Sequence, residues 1–101
     1  MERSYKAELK VNKQLVEMNP FVEEFLARTT VGAVASLKGA ENIRKLEMHQ
    51  KKGNIEITVN GSEIPLTPFP NDIISNTLVG MVSSLKQVED IDSIDISVEV
   101  E

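Results

Sequence analysis

One offset constrains this chain more than its composition does. Moved forward by 48 positions, residues 1–53 lie on residues 49–101 without a gap. Glu8 falls on Glu56, Val11-Asn12 on Val59-Asn60, Pro20-Phe21 on Pro68-Phe69 and Val31-Gly32 on Val79-Gly80. Thr29, Val34, Ser36-Leu37-Lys38, Glu41 and Ile43 likewise meet Thr77, Val82, Ser84-Leu85-Lys86, Glu89 and Ile91. That makes 14 identities in 53 pairs, where average composition gives roughly 3 or 4 by chance. Such a period means one supersecondary unit used twice. At 101 residues the chain has room for one core but not two, so the repeats 1–48 and 49–101 share a single domain.

Each copy carries the same signals in the same order. Tyr5, Ala7, Leu9 and Val11 alternate with charged residues, as Ile55, Ile57 and Val59 do in the second copy; this is the period of a half-buried strand. Asn60-Gly61 then predicts a tight hairpin turn, since both turn positions need positive φ, and Asn12-Lys13 is its weaker counterpart. Short return strands follow at 15–18 and 63–66, the second confined to an edge by Pro65. Asn19-Pro20 and Thr67-Pro68 open two helices, which the sequence carries to Lys38, before Gly39, and to Lys86 or Val88; Pro70 would delay the second start. Closing strands are expected at 43–49 and 94–100.

The fold class predicted is α+β: two tandem ββαβ repeats forming a pseudo-twofold antiparallel sheet with two helices packed on one face. Without the return strands the order, β-α-β-β-α-β, resembles the ferredoxin-like arrangement. Strand 55–59 has two edges and three competing partners. The tight Lys51-Lys52-Gly53 turn favours pairing with 43–49, which intertwines the copies. It also sets Lys6 and Lys10 beside Asp95 and Glu99, where opposite charges help.

Composition removes several function classes. There is no cysteine, hence no disulfide framework, thiol nucleophile or thiolate metal site. A net charge of −5 without a basic stripe, and with three of four aromatics on helical segments, argues against nucleic acid. No apolar run reaches membrane-spanning length and Met1–Lys6 lacks a leader's apolar stretch, so no membrane partner and a cytoplasmic location are expected.

The catalytic search finds little. His49, the only histidine, is expected on a strand's solvent face, and one histidine cannot supply a two-histidine metal site. Glu89, Asp90, Asp92 and Asp95 lack calcium-loop spacing; the glycines form neither a P-loop nor a dinucleotide fingerprint. Ser36 and Ser84 have no activating base in sight. No catalytic residue, metal or cofactor is expected. Carboxylates of the sheet face, such as Glu47, Glu56 and Asp95, are the weak exception.

On a helical projection Phe21, Phe25, Thr29, Gly32 and Ser36 form one stripe, and Phe69, Ile73, Thr77, Gly80 and Ser84 its equivalent. Taken as the core face, this stripe leaves Ala27, Val31, Val34, Leu78, Val79 and Val82 on an outer apolar surface, the mark of an interface. The function expected is a non-catalytic homo-oligomeric interaction or regulatory module. Its natural partner is a second copy of the chain, in a dimer, with another protein as the other candidate. The second reading is a small-molecule site between repeats or subunits, near the hydroxyls of Thr29, Ser36, Thr77 and Ser84.

Overall fold

The alternating segments form one six-stranded antiparallel sheet in a computed structural model that describes residues 4–101. Met1, Glu2 and Arg3, part of the leader argument, lie outside the described residues. In chain order the elements are β1 (Tyr5–Val11), β2 (Gln14–Val16), α1 (Pro20–Ala35), β3 (Lys45–Lys51), β4 (Asn54–Val59), β5 (Ser62–Ile64), α2 (Pro68–Ser83) and β6 (Ser93–Val100). The sheet order is β2-β1-β6-β3-β4-β5. The closing strands of the two copies, β3 and β6, are therefore its centre, and each lies between the other copy's closing strand and opening strand. Strands β1 and β3, joined through α1, run parallel with β6 between them. Strands β4 and β6, joined through α2, run parallel with β3 between them. The fold is two interleaved split β-α-β units.

The register obeys the 48-residue offset. Leu9 opposite Val16 becomes Ile57 opposite Ile64, and Lys10 opposite Asp95 becomes Thr58 opposite Glu47. Met48 faces Ile96, each the equivalent of the other, so this pair marks the pseudo-twofold axis. Pairing across the tight turn and the placement of Lys6 opposite Glu99 and Lys10 opposite Asp95 follow the sequence.

An asparagine clasp secures the exchanged strands. Asn12 at φ 53° and Asn60 at φ 51° occupy the left-handed region that asparagine tolerates. Asn60 Oδ1 accepts the backbone N–H of Arg44 and Lys45, both at 2.9 Å, and its Nδ2 donates to the Asn42 carbonyl at 2.9 Å. Asn12 repeats this on the other copy: Oδ1 accepts from Asp92 at 2.7 Å and Ser93 at 3.0 Å, and Nδ2 donates to the Asp90 carbonyl at 2.9 Å. Each asparagine thus holds the loop that launches the other copy's closing strand. A second pair is equally symmetric: Glu23 Oε2 accepts the Ala7 N–H at 2.9 Å, and Asn71 Oδ1 accepts the Ile55 N–H at 3.0 Å. Both satisfy an opening-strand donor beyond the reach of the three-residue return strands.

Both helices span 16 residues and begin at the proline. Asn19 caps α1 by accepting the Val22 N–H at 2.8 Å, whereas Thr67 makes no side-chain cap bond. Pro70 does not delay α2, because a proline in the first turn removes an N–H that has no helical acceptor. The helices end at Ala35 and Ser83, short of the expected lysines. The Ser36 and Leu37 N–H groups close tight turns onto the Ala33 and Val34 carbonyls, so Ser-Leu-Lys follows the helix and Gly39, at φ 87°, acts after it.

The core lies between the helices and one sheet face. It joins Leu9, Ile57, Leu46, Met48, Ile94, Ile96 and Val98 to Leu26, Ala27, Thr30 and Val34 of α1 and to Ile74, Ser75, Leu78 and Val82 of α2. These four helix positions are equivalent in the two copies. Buried Thr30 is satisfied by its own helix, donating to the Leu26 carbonyl at 2.9 Å. No helix among the described residues is long and apolar enough to cross a membrane.

Candidate functional site

The helix faces are the reverse of the sequence expectation. Ala27, Val34, Leu78 and Val82 are buried against the sheet and Val31 and Val79 are partly buried against the same core, so these six residues form no outer surface. The outward stripe is the one taken for core: Phe21 is 74% exposed, Phe25 52%, Phe69 72% and Ile73 50%. Both helix faces are apolar and the phenylalanines outweigh the smaller residues opposite them, so an apolar count alone points the helix the wrong way. A helix resting on a sheet needs those smaller side chains, such as Ala27 and Ser75, at its closest approach.

Gly32 and Gly80 lie on the outer stripe, where an added Cβ would meet nothing within 4 Å. No close packing inside the chain explains them. The helices run antiparallel, since the strands they follow do, and leave a cleft of about 480 Å³ between the first half of α1 and the end of α2. Met18, Phe21, Phe25, Leu26, Met81 and Leu85 dominate its wall.

The four candidate hydroxyls do not converge. Ser36, Thr77 and Ser84 are exposed and donate to carbonyls one turn back, on Gly32 at 3.3 Å, Ile73 at 2.7 Å and Gly80 at 3.0 Å. Thr29 is partly buried. Of the four, only Ser84 lines the cleft.

The sheet's other face carries no helix and is polar. Near its centre, His49 Nδ1 donates to Asp95 Oδ1 at 2.6 Å, and Lys13 Nζ donates to Oδ2 at 3.3 Å. A carboxylate only accepts, so this contact puts the imidazole proton on Nδ1. Partial burial pushes the Asp95 pKa up, but the hydrogen bonds from His49 and Lys13 and their positive charge outweigh it and hold the pKa below the usual aspartate value. The alternation of the strand puts His49 on the solvent face but does not join it to Asp95; only the β3–β6 register, which sets His49 opposite Asp95, does so. Glu47 pairs with Lys45 at 3.7 Å, and Glu56 faces His49 from β4. Among the described residues no three metal-ligating side chains converge.

No protein family, characterised protein or solved structure matches this chain.

Proposed function

We propose that this protein is a non-catalytic module that self-associates through its helix layer. The observation behind the proposal is the row of exposed apolar side chains, Phe21, Phe25, Phe69 and Ile73, on one outward surface. Isolated exposed apolar residues are ordinary, but large ones gathered on two adjacent helices mark an interface. An isologous dimer would pair this surface with its own copy across a twofold axis. The bare glycines fit this reading. Each mid-helix glycine costs about 1 kcal/mol against alanine, and a partner's helix lying across Gly32 and Gly80 would use the space they leave.

Light scattering coupled to size exclusion tests the reading. The wild-type chain runs as a dimer, and the double variant Phe21→Glu/Phe69→Glu runs as a folded monomer. A monomeric wild type at hundred-micromolar concentration removes the proposal. The cleft between the helices supports a second reading, an apolar small-molecule site lined by Phe21, Phe25 and Met81, with Ser84 the one candidate hydroxyl residue at its wall. The same reading sets the fold beside the ferredoxin-like arrangement; its two split β-α-β units support that relation, with the closing strands taking the central places.

A further inference from the structure

Of the chain's asparagines only Asn60 precedes a glycine, and that pair can react with itself. The backbone nitrogen of Gly61 attacks Cγ of the Asn60 side chain and closes a succinimide ring. The N–Cγ bond forms, the Cγ–Nδ2 bond breaks, and the amide nitrogen leaves as ammonia with the proton given up by the Gly61 N–H. Water then opens the ring at either carbonyl, leaving aspartate or isoaspartate. Glycine admits the attack best, because it puts no Cβ beside the nucleophile and leaves its backbone free to turn. Asparagine counts among the thermolabile residues.

The fold controls both reacting groups. Val59 pairs with Ser62, and Asn60 and Gly61 hold φ 51° and 87°, so they are the central residues of a type I′ turn. In that turn ψ of the first central residue is about +30°. Ring closure needs the Gly61 nitrogen nearly eclipsed with Asn60 Cβ, and the turn carries it to the far side of the Cα–C bond instead. The clasp fixes the other group. Oδ1 accepts from the Arg44 and Lys45 N–H groups at 2.9 Å each, and Nδ2 donates to the Asn42 carbonyl at 2.9 Å. Two donors on one oxygen also polarise the carbonyl, as an oxyanion hole does. Geometry decides between the two effects: a nucleophile aimed away from Cγ gains nothing from a polarised target. Asn60 is exposed, so water and hydroxide reach the pair once the turn loosens.

We propose that Asn60-Gly61 is a deamidation site gated by the clasp, closed in the native turn and reactive when the β4–β5 hairpin comes away from the 42–45 loop. Local openings of this kind belong to the native ensemble, so modification accumulates with the time spent open. The two products differ in effect. Aspartate at position 60 keeps both accepted bonds and loses the donated one. Isoaspartate runs the main chain through the former side chain and lengthens the tight turn by a methylene, so no acceptor remains in place for Arg44 and Lys45. The loop that launches β3 then loses its hold, and the change favours the opened state that produced it. Asn12-Lys13 is a control built into the chain. It has positive φ at both positions, 53° and 69°, and the same clasp, but Lys13 puts a side chain beside the nucleophile.

The test incubates the full-length protein at mildly alkaline pH, folded and unfolded in urea, and maps aspartate and isoaspartate by peptide mass spectrometry. In urea Asn60 converts while Asn12 stays largely intact over the same period, and Gly61→Ala slows the conversion. In the folded protein Asn60 converts at least about tenfold more slowly than in urea, the combined value of the clasp's three bonds. Sub-denaturing urea raises the folded rate in step with amide hydrogen exchange at Arg44 and Lys45, whose N–H groups the clasp protects. In the isolated isoaspartate product these two amides exchange at least about tenfold faster, while Asp92 and Ser93, held by Asn12, are unchanged. Equal rates in the folded and unfolded protein, comparable conversion of Asn12 and Asn60 in urea, or an isoaspartate product that still protects Arg44 and Lys45 would each overturn the proposal.

Discussion

The asparagine clasp makes a quantitative claim about how the exchanged strands are held. Replacing Asn60 with alanine removes three hydrogen bonds, to Arg44, Lys45 and Asn42. The site is exposed, so water re-solvates the freed groups and each bond is taken at the low end, about 0.5 kcal/mol. Alanine must also adopt φ near 51°, which costs about 1 kcal/mol beyond what asparagine bears. The total is about 2.5 kcal/mol, a large part of the stability of a domain this size, and lowers Tm by roughly 10–20 °C. Two further variants separate the contributions. Asn60→Gly loses the bonds but accepts the backbone conformation, so it costs about 1.5 kcal/mol. Asn60→Asp retains the two accepted bonds and loses the donated one, about 0.5 kcal/mol. Urea unfolding followed by circular dichroism should rank them Asp, Gly, Ala in rising cost, with the Asn12 series in the same order because its bonds are equivalent. An alanine variant within 0.5 kcal/mol of wild type, or a glycine variant as damaged as alanine, would refute the reasoning.

Other substitutions test the helix phase and the polar face. Gly32→Ala and Gly80→Ala should each stabilise the dilute monomer by about 1 kcal/mol, since the new Cβ meets nothing, and should weaken self-association; urea midpoints and sedimentation at two concentrations check both. Ala27→Leu overpacks a fully buried position and should cost about 1–3 kcal/mol in urea unfolding, whereas Phe21→Ser, on the exposed stripe, should change monomer stability by less than about 0.5 kcal/mol. The pKa of Asp95 is lower folded than unfolded, so its contribution is fully present above the unfolded aspartate value near 4. It is lost as pH falls through the folded value. Acid unfolding curves should therefore show a shallower loss of stability below pH 4 in Asp95→Asn than in wild type.

What could be read from the sequence, and what could not, divides by the range of the forces involved. The offset, the period-two strands and the Asn-Gly turn are local or repeated signals, and they carried the element order, the intertwined pairing and the facing of Lys10 and Asp95. Helix phase is not local in that sense. Phe21 and Phe25 outweigh Ala27 and Val34 in any apolar count, yet the sheet selects side chains by the space between layers, and the small ones win. The clasp was present as the identity Val11-Asn12 with Val59-Asn60, but its partners lie about 80 residues away in one case and 15–18 in the other, so turn chemistry alone accounted for it. The same holds for His49 and Asp95, which only the exchange of closing strands brings together.

Agreement and divergence between the copies can be assigned to different causes. Asn12 and Asn60 keep one chemistry because the same clasp is made twice, and Glu23 and Asn71 keep one role with different side chains because only an acceptor is needed. Met48 faces Ile96 at the axis, and the copies differ on both sides of it. Toward the β3–β4 turn, His49, Gln50, Lys51 and Lys52 replace an alternating Ser-Val-Glu-Val strand that folds well in the other copy. A strand whose equivalent buries Val98 gains nothing in stability from an unpartnered glutamine. The helix stripe, by contrast, keeps Phe21 and Phe69 and both glycines identical in the two copies, as the self-association proposed above would require.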